Sequence, residues 1–205
     1  MVRDGLPFVL IPLGLALLAA ALGYWWLGLP LALLAAFMAY FFRDPQRRAP
    51  DDPAVVVAPA DGRVTRVGPV APGDPDASNV VSIFLSPLDV HINRAPIAGE
   101  ITDVTHTRGR FLIATRAEAS LVNEQNALTI RGERVIVVCR QIAGVLARRI
   151  VCWKRAGERV RLGERFGLIK FSSRTDVVLP PEVEVTVRVG DRVRGGTSII
   201  GRLRA

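Results

Sequence analysis

The hydrophobic pattern divides the chain into an apolar N-terminal segment and a turn-rich remainder. No charged residue lies between Leu6 and Phe42, and about 20 apolar residues are enough for a helix to cross a bilayer. The stretch is too long for the hydrophobic region of a signal peptide, and no small-residue cleavage site leads into a soluble mature start. We therefore predict that residues 1–42 form a membrane anchor. The interruption at Gly28–Leu29–Pro30 predicts two short helices forming a hairpin, or one span followed by an interfacial helix.

A polar segment follows the anchor. Residues 43–54 contain three prolines, which predicts a linker. Arg43, Arg47 and Arg48 come directly after the apolar segment, and such a cluster favours a cytoplasmic location for the domain that follows.

The rest of the chain, residues 55–205, consists mainly of short runs with a strand-like pattern. These runs cover 55–58, 62–68, 79–85, 99–106, 126–130, 134–144, 167–171 and 183–190. Many strands at short spacing predict a mainly β domain, a single β-sandwich or barrel-like unit with few short helices. Residues 114–122 and 145–150 are the segments with helix-like composition.

One sequence pattern occurs twice near the C-terminus. Residues 157–163 read Gly-Glu-Arg-Val-Arg-Leu-Gly, and residues 190–196 read Gly-Asp-Arg-Val-Arg-Gly-Gly. Glycine supplies the positive φ that a tight turn into a new strand requires. Paired turns of this kind also occur in lipoyl and biotinyl carrier folds, so the repeat indicates a fold and not a chemistry.

Composition and charge exclude some functions. The formal net charge is +8 and the mean hydropathy is +0.30, but the apolar excess lies in the N-terminal segment. The basic residues are scattered and aromatic residues are sparse after residue 42, so a base-stacking nucleic-acid surface is not expected. Cys139 and Cys152 lie in apolar runs, which predicts buried reduced thiols and no metal site.

Three polar stretches differ from ordinary scaffold. They are residues 58–62, which contain Asp61, residues 85–96, which contain His91, and residues 166–180, which contain Ser173. Ser, His and Asp in separate segments are the groups of an activated hydroxyl nucleophile. No Gly-x-Ser-x-Gly elbow is present, which disfavours an ordinary hydrolase.

Several segments together resemble one enzyme family. They read FFRDP, PADG, FLSPLDVHINRAPIAG, VNEQNALTI, IAGVLARRIV and GERFGLIKFSSRTDVVLP, and they follow one another along nearly the whole chain. In order and spacing they resemble the short, prokaryotic form of the phosphatidylserine decarboxylase proenzyme family. The resemblance implies a lyase that converts phosphatidylserine to phosphatidylethanolamine at the membrane, in phospholipid biosynthesis.

The resemblance also implies a self-cleaving precursor with a covalent pyruvoyl cofactor. Matched to the family motif, the hydroxyl of Ser173 attacks the carbonyl of Ser172, and elimination and hydrolysis then convert Ser173 into the pyruvoyl group. A large chain, 1–172, and a small chain, 173–205, result. His91 is implied as the base and Asp61 as the acid that orients it.

In the resembled reaction, the pyruvoyl carbonyl forms a Schiff base with the substrate amine and accepts electrons as carbon dioxide leaves. His91 is the candidate for contacting the substrate carboxylate or returning a proton. We expect Asn93, Arg94, His106 and Glu124 to contact the substrate or to support residues that do. A homodimer of the processed pair is a possible assembly, and neither a metal nor a nucleic acid is expected.

The chain departs from the family motif at two positions. Ser172 stands where the family usually has Gly, and a residue with a Cβ resists backbone angles that Gly adopts. Ser172 slows or abolishes self-cleavage, is tolerated as a natural variant, or was introduced to trap the precursor. Arg94 stands where longer relatives often have a second His, so His91 would serve both cleavage and decarboxylation.

Two other functional classes remain open from the residues alone. A non-enzymatic, membrane-anchored β-sandwich adaptor or carrier explains the anchor and the paired turns, but not residues 85–96. A membrane-anchored Ser-His-Asp hydrolase would use Ser173, His91 and Asp61 directly. It predicts an intact chain that reacts with fluorophosphonates, whereas the decarboxylase predicts a cut chain that reacts with hydroxylamine or borohydride.

Overall fold

The computed structural model describes residues 1–70, 78–113, 118–145, 149–171 and 173–204. It divides the chain into two compact units, Met1–Gln46 and Arg47–Ala205.

The first unit is a helical hairpin, as the sequence predicted. A 3-10 turn at Arg3–Gly5 leads into α1 (Leu6–Ala21), and α2 (Trp25–Phe41) follows. The backbone N–H of Val2 donates to the carbonyl of Phe42 at 3.2 Å, so the start of the first helix meets the end of the second. Among the described residues, the helical stretch Arg3–Ala21 is the one long and apolar enough to cross a membrane.

The break between the helices lies earlier than Gly28–Pro30, where the sequence placed it. Gly23 has φ +84°, a left-handed conformation that reverses the chain after α1. The second helix runs through Pro30, close to its N-terminal end. A Cβ on Gly28 would lie 3.1 Å from the carbonyl oxygen of Ala16, so this glycine allows the two helices to pack closely.

The second unit is mainly β, as predicted. Its strands in chain order are β1 (Val55–Val57), β2 (Gly62–Pro69), β3 (Asn79–Leu85), β4 (Ile92–Arg94), β5 (Gly99–Thr107), β6 (Gln125–Arg131), β7 (Ile136–Ala143), β8 (Arg149–Cys152), β9 (Arg159–Val160), β10 (Arg165–Lys170), β11 (Ser173–Leu179), β12 (Val183–Val185), β13 (Arg192–Val193) and β14 (Ile199–Leu203). A single helical turn, α3 (Ala119–Val122), interrupts the connection between β5 and β6.

The helix predictions for this unit are confirmed only in part. The helical turn Ala119–Val122 falls within the predicted segment 114–122, of which residues 114–117 lie outside the described residues. The second predicted helix, 145–150, is wrong at its C-terminal end because Arg149 and Ile150 begin a strand. Backbone pairing with β10 decides this conformation over local helix propensity.

The strands form one large sheet and two small ones. The eight-stranded sheet has the order β13-β2-β3-β11-β7-β6-β5-β9, and the small sheets have the orders β1-β14-β12 and β4-β10-β8. The order of the large sheet is symmetric about the β11–β7 pair. Val177 lies opposite Cys139 at the centre of this pair, and both side chains are fully buried in the core.

The symmetry extends to the register. Gly62 pairs with Val193 and Arg63 with Arg192, while Gly99 pairs with Val160 and Glu100 with Arg159. The two Gly-x-Arg-Val turns therefore hold equivalent strand starts. A β-bulge also follows Val64 in one strand and Ile101 in the other. The unit thus contains two seven-stranded repeats, and the repeated turn predicted from sequence is one element of them.

One repeat is inserted into the other. The strands β4 to β10 form a continuous repeat over 92–170, whereas the other repeat combines 55–85 with 173–203. The chain enters the inserted repeat through residues 86–91 and leaves it through residues 171–172. The first connection contains His91 and the second contains Ser172, which directly precedes Ser173 at the start of β11.

Candidate active site

Ser173 lies at the start of β11, in the middle of the large sheet. It pairs with Leu85 of β3 on one side and with Ala143 of β7 on the other, and it is fully buried. Its Oγ has no hydrogen-bond partner among the described residues. Burying a hydroxyl without a hydrogen-bond partner costs folding free energy, and a catalytic role is one explanation for such a group.

His91 ends the connection that leads from β3 into β4, and it is 2% exposed. Its backbone carbonyl accepts a hydrogen bond from the N–H of Ile169 in β10 at 3.3 Å. Its Nδ1 lies 2.9 Å from the carbonyl oxygen of Asp89. A carbonyl can only accept, so Nδ1 carries a proton, and in the neutral form of the ring the lone pair that a general base needs is on Nε2.

A series of buried side-chain amides connects the strand that directly follows His91 to the strand that begins with Ser173. Asn93 donates from Nδ2 to the hydroxyl of Thr175 at 3.0 Å, and its Oδ1 accepts from Gln141 at 2.9 Å. Gln141 in turn accepts from Asn126 at 3.0 Å. Sequence analysis had singled out only Asn93 of this series, because amides in strand-like runs of apolar residues give no pattern that distinguishes them.

Asp61 is held by two other segments. Arg47 forms a bidentate ion pair with its carboxylate, with the Nη2–Oδ2 distance at 2.6 Å. The backbone N–H of Gly195 donates to Oδ1 at 2.9 Å, and the carbonyl of Gly195 accepts from Arg47 at 2.7 Å. The partner at Nδ1 of His91 is the Asp89 carbonyl, so the orienting role expected for Asp61 stays a prediction. Sequence analysis treated Arg47 only as a topology signal.

Arg94 lies between the two repeated turns. Its guanidinium donates to the carbonyl of Gly163 at 3.1 Å, and a Cβ on Gly196 would lie 2.7 Å from its Cδ. Both glycines have positive φ, +73° and +77°. Arg94 is buried at these contacts, so the residue at this position ties the two repeats together.

His106 and Glu124 face one another across adjacent strand ends. The His106 Nε2 lies 3.6 Å from Glu124 Oε1, and His106 is about half exposed. The backbone of Glu124 accepts from the N–H of Ala143 at 2.9 Å, and Ala143 is the strand partner of Ser173. The pair therefore lies at the Ser173 end of the sheet, and its role stays a prediction.

The predicted cleavage site is described on one side only. Ser172 lies outside the described residues, whereas Ser173 is described. Phe171, directly before this position, has φ +65°, a left-handed conformation that is unusual for a residue with a side chain.

Outside the candidate site, the pKa values of several titratable groups are clearly shifted. Burial raises the pKa of both thiols, Cys139 and Cys152, which favours the protonated form. Lys154 Nζ lies 2.8 Å from Glu164 Oε1; burial alone would raise the pKa of Glu164, but the hydrogen bond from Lys154 and further contacts lower it. Among the described residues, no group of three His, Cys, Asp or Glu could hold a metal ion.

Comparison with known proteins adds independent findings. A family model described as phosphatidylserine decarboxylase matches residues 34–201. Proteins named phosphatidylserine decarboxylase proenzyme are similar to the chain over most of their length. The one from Solibacter usitatus is 52% identical over 188 residues, which cover 90% of this chain and 89% of that protein. The one from Symbiobacterium thermophilum is 49% identical over 208 residues, which cover 98% and 94%.

Proposed function

The chain belongs to the phosphatidylserine decarboxylase family, and from this premise we propose how its own residues carry out the reaction. It is a carboxy-lyase made as a proenzyme, which acts on phosphatidylserine and releases carbon dioxide to give phosphatidylethanolamine. We propose that it cleaves itself before Ser173 and that Ser173 becomes the pyruvoyl group. The adaptor and hydrolase alternatives are not favoured, because similar proteins are named phosphatidylserine decarboxylase proenzymes.

The observation that carries this proposal is the position of Ser173. It is a fully buried serine whose Oγ has no hydrogen-bond partner among the described residues. It begins a strand that is hydrogen-bonded on both sides, directly after one of the two connections between the repeats. A site built to hold a small carbonyl group in place of the hydroxyl fits these features.

His91 is the base in this proposal. Its Nδ1–H is fixed by the Asp89 carbonyl, which leaves Nε2 as the nitrogen that accepts the proton of the Ser173 hydroxyl. The hydroxyl oxygen then attacks the preceding carbonyl, at the junction where the inserted repeat ends. Asp61 supports the site through its ion pair with Arg47 and its hydrogen bond from the Gly195 N–H.

The pyruvoyl group supplies an electron sink for the loss of the substrate carboxylate. The residues of this chain supply the other functions. His91 holds a proton near the reacting carbon, and the Asn93–Thr175 contact fixes the strand that follows His91 against the strand that begins with Ser173. His106 and Glu124, at the same end of the sheet, are candidates for binding the substrate headgroup.

Anchoring at the membrane completes the proposal. The helical stretch Arg3–Ala21 has the length and apolar character of a membrane span, and the substrate headgroup stays at the bilayer surface. We place the catalytic unit on the cytoplasmic face because Arg43 and Arg48 directly follow the second helix. A homodimer of processed pairs is one candidate assembly.

The test is an intact mass of the full chain purified in detergent, together with its activity on phosphatidylserine. We expect two chains that separate between Ser172 and Ser173, with the small chain lighter by one ammonia than a free Ser terminus requires. Reduction with borohydride should add hydrogen to that chain and abolish carbon dioxide release. Ser173→Ala is the matched control and should give one uncut, inactive chain.

Ser172 makes the outcome informative in either case. A single full-length mass that becomes two chains in Ser172→Gly would show that Ser172 limits cleavage. A Ser172→Gly chain that stays intact and releases no carbon dioxide would refute the proposed role of Ser173.

A further inference from the structure

Several chain connections meet at the end of the large sheet where Ser173 starts its strand. Leu85 and Ala143 flank Ser173 in the register, so the connections that follow β3 and β7 both begin there. The connection between β5 and β6 reaches the same place through Asn123, whose Nδ2 donates to the carbonyl of Ala143 at 2.7 Å. This end of the sheet is therefore surrounded by loops.

Large apolar side chains in these loops face solvent. Leu121 is 82% exposed and Leu88 is 62% exposed. We call the whole group the apolar rim; its members are Leu88, Ile113, Leu121, Val122 and Val145. They come from three separate connections that converge beside one buried serine. Clusters of exposed apolar side chains of this kind commonly mark an interaction surface.

A buried amide holds the rim in place. Asn123 is 1% exposed; its Oδ1 accepts from the N–H of Leu112 at 2.9 Å, and its Nδ2 donates to the carbonyl of Leu112 at 2.8 Å. Leu112 and Asn123 directly precede and follow the rim residues Ile113 and Val122. The N–H of Arg110 donates to the carbonyl of Val122 at 2.7 Å. The rim is therefore preformed in the fold.

The rim is an addition to one repeat only. The connection that carries most of it, between β5 and β6, spans residues 108–124, whereas the equivalent connection between β2 and β3 spans residues 70–78. By the strand register, the strand ends that this shorter connection joins, Pro69 and Asn79, lie at the opposite end of the sheet, beside Leu179. The longer connection thus occurs only at the end where Ser173 lies.

The charges around the rim are mainly positive. Within the described part of these connections, the exposed charged side chains are Arg108, Arg110 and Glu118, and the exposed Arg149 begins β8 at the end of the third connection. The acids Asp89 and Glu124 are half-buried, and they contact the Ser86 N–H and His106. Arginines beside exposed apolar side chains match an anionic lipid surface, where cations meet headgroups and apolar groups enter the acyl boundary.

We propose that the apolar rim docks the catalytic unit on an anionic bilayer surface, separately from the helical anchor, and so brings a lipid headgroup to Ser173. The inference rests on the proposed function, since it takes the substrate to be a membrane lipid. It adds a second membrane contact that places the entrance of the site against the bilayer.

The first test measures depth and does not depend on activity. The full chain carries Leu121→Cys labelled with an NBD fluorophore, in a Cys152→Ser background in which Cys139 stays fully buried. It is reconstituted in phosphatidylcholine vesicles containing phosphatidylglycerol. We expect quenching by doxyl-labelled lipids. The matched control is labelled Ile136→Cys. Position 136 is exposed and begins β7, roughly 23 Å from Ala143 at the rim end of that strand, at about 3.3 Å per residue.

Two results would overturn the proposal. Equal quenching at positions 121 and 136 would show that the rim has no special contact with lipid. Protection of position 121 from aqueous iodide without quenching by doxyl lipids would show that a second copy of the chain covers the rim.

The second test separates docking from chemistry. In Leu121→Asp, the ratio of turnover on phosphatidylserine vesicles to turnover on dispersed short-chain phosphatidylserine should fall about tenfold, the scale of one lost buried leucine. Ile136→Asp should leave the ratio unchanged. An unchanged ratio in Leu121→Asp would refute the docking proposal and would leave the decarboxylase function unaffected. A wild-type chain that turns over neither substrate would instead count against the proposed function.

Discussion

Asn93 and Thr175 are hydrogen-bonded side chain to side chain at 3.0 Å, and each lies two positions after a predicted catalytic residue. Side chains two positions apart in a strand share a face. The contact therefore joins the strand that follows His91 to the strand that begins with Ser173, on the face where both predicted catalytic side chains are expected. Since both amide atoms of Asn93 are engaged, the relative position of the two strands is fixed.

Removing this contact should slow self-cleavage, whereas a similar loss of stability elsewhere in the same series of amides should not. Asn93→Ala leaves the buried Thr175 hydroxyl and Gln141 amide without their partner, at a cost of about 1–3 kcal/mol in unfolding free energy. Asn126→Ala, at the other end of the same series of amides, should cost a similar amount. We expect only the first variant to show slower conversion of precursor to two chains on a denaturing gel time course. Equal cleavage rates in the two variants would limit Asn93 to a structural role.

The Arg47–Asp61 ion pair should stabilise the catalytic unit. Arg47→Gln leaves a nearly buried carboxylate without its cation, so we expect a loss of about 3 kcal/mol in chemical denaturation. Arg202→Gln breaks an exposed pair with Asp52 and should cost under about 1 kcal/mol. Adding Asp61→Asn to Arg47→Gln should recover part of the stability. Additive losses in the double variant would contradict the pairing.

Two glycines in the repeated turns should respond differently to a methyl group. Gly190→Ala meets no described heavy atom within 4 Å, but its φ of +102° should cost about 1–2 kcal/mol. Gly196→Ala has similar strain and also forces Cδ of Arg94 to move, which should cost about 1–3 kcal/mol more. Thermal unfolding of both variants measures the difference. Equal melting temperatures would show that Arg94 is not packed against this turn.

The Lys154–Glu164 pair predicts a pH-dependent contribution to stability. The folded pKa of Glu164 is lowered below 4.5, so its contribution is present above that pH and is lost as the pH falls through the folded pKa. We therefore expect Glu164→Gln to melt below the wild type at pH 7, with the difference shrinking at strongly acidic pH. A difference that stays constant over this range would be inconsistent with the ion pair.

Replacing Ser172 by Gly should accelerate self-cleavage. The backbone of Phe171 already departs from extended geometry with φ +65°, and a Gly next to it lowers the cost of further adjustment. A saving of about 1.4 kcal/mol corresponds to roughly tenfold in rate. Intact mass measured over time after synthesis gives the rate. A slower conversion in the Gly variant would mean that the Ser172 side chain assists the reaction.

The sequence predicted the outline of the fold from local signals. Strands such as Asn79–Leu85 are mostly apolar, and the repeated glycine turns mark where strands begin. The strand Ser173–Leu179 was missed because its first half is polar. In the structure, Arg174 and Asp176 are buried together, with the guanidinium Nε 2.8 Å from the carboxylate. Because Arg174 and Asp176 pair with each other, both can be buried, and the strand shows no alternation of apolar and polar residues in its sequence.

The site was predictable only where residues form recognisable motifs. His91, Asp61 and Ser173 stand in distinctive stretches, so they could be named from the sequence. Arg47 and Gln141 could not, because their partners lie 14 and 48 positions away along the chain and are brought near by the fold. The insertion of one repeat into the other was equally hidden, since its signature is the order of the strands.

Because one repeat is inserted into the other, a cut before Ser173 would leave the C-terminal piece bound within the sheets. The segment from residue 173 onward supplies β11, which lies between β3 and β7, and β14, which lies between β1 and β12. The severed C-terminal piece would then persist as a strand-complementing subunit. Hydrogen bonds to the large piece run along both edges of β11 and along one edge each of β13 and β14, which pair with β2 and β1. Cleavage would break the peptide bond that joins the two pieces and leave a non-covalent heterodimer. This heterodimer could not dissociate without unfolding two sheets. Once denatured and diluted, the mature enzyme would refold at a rate that depends on protein concentration, whereas the uncut chain would not.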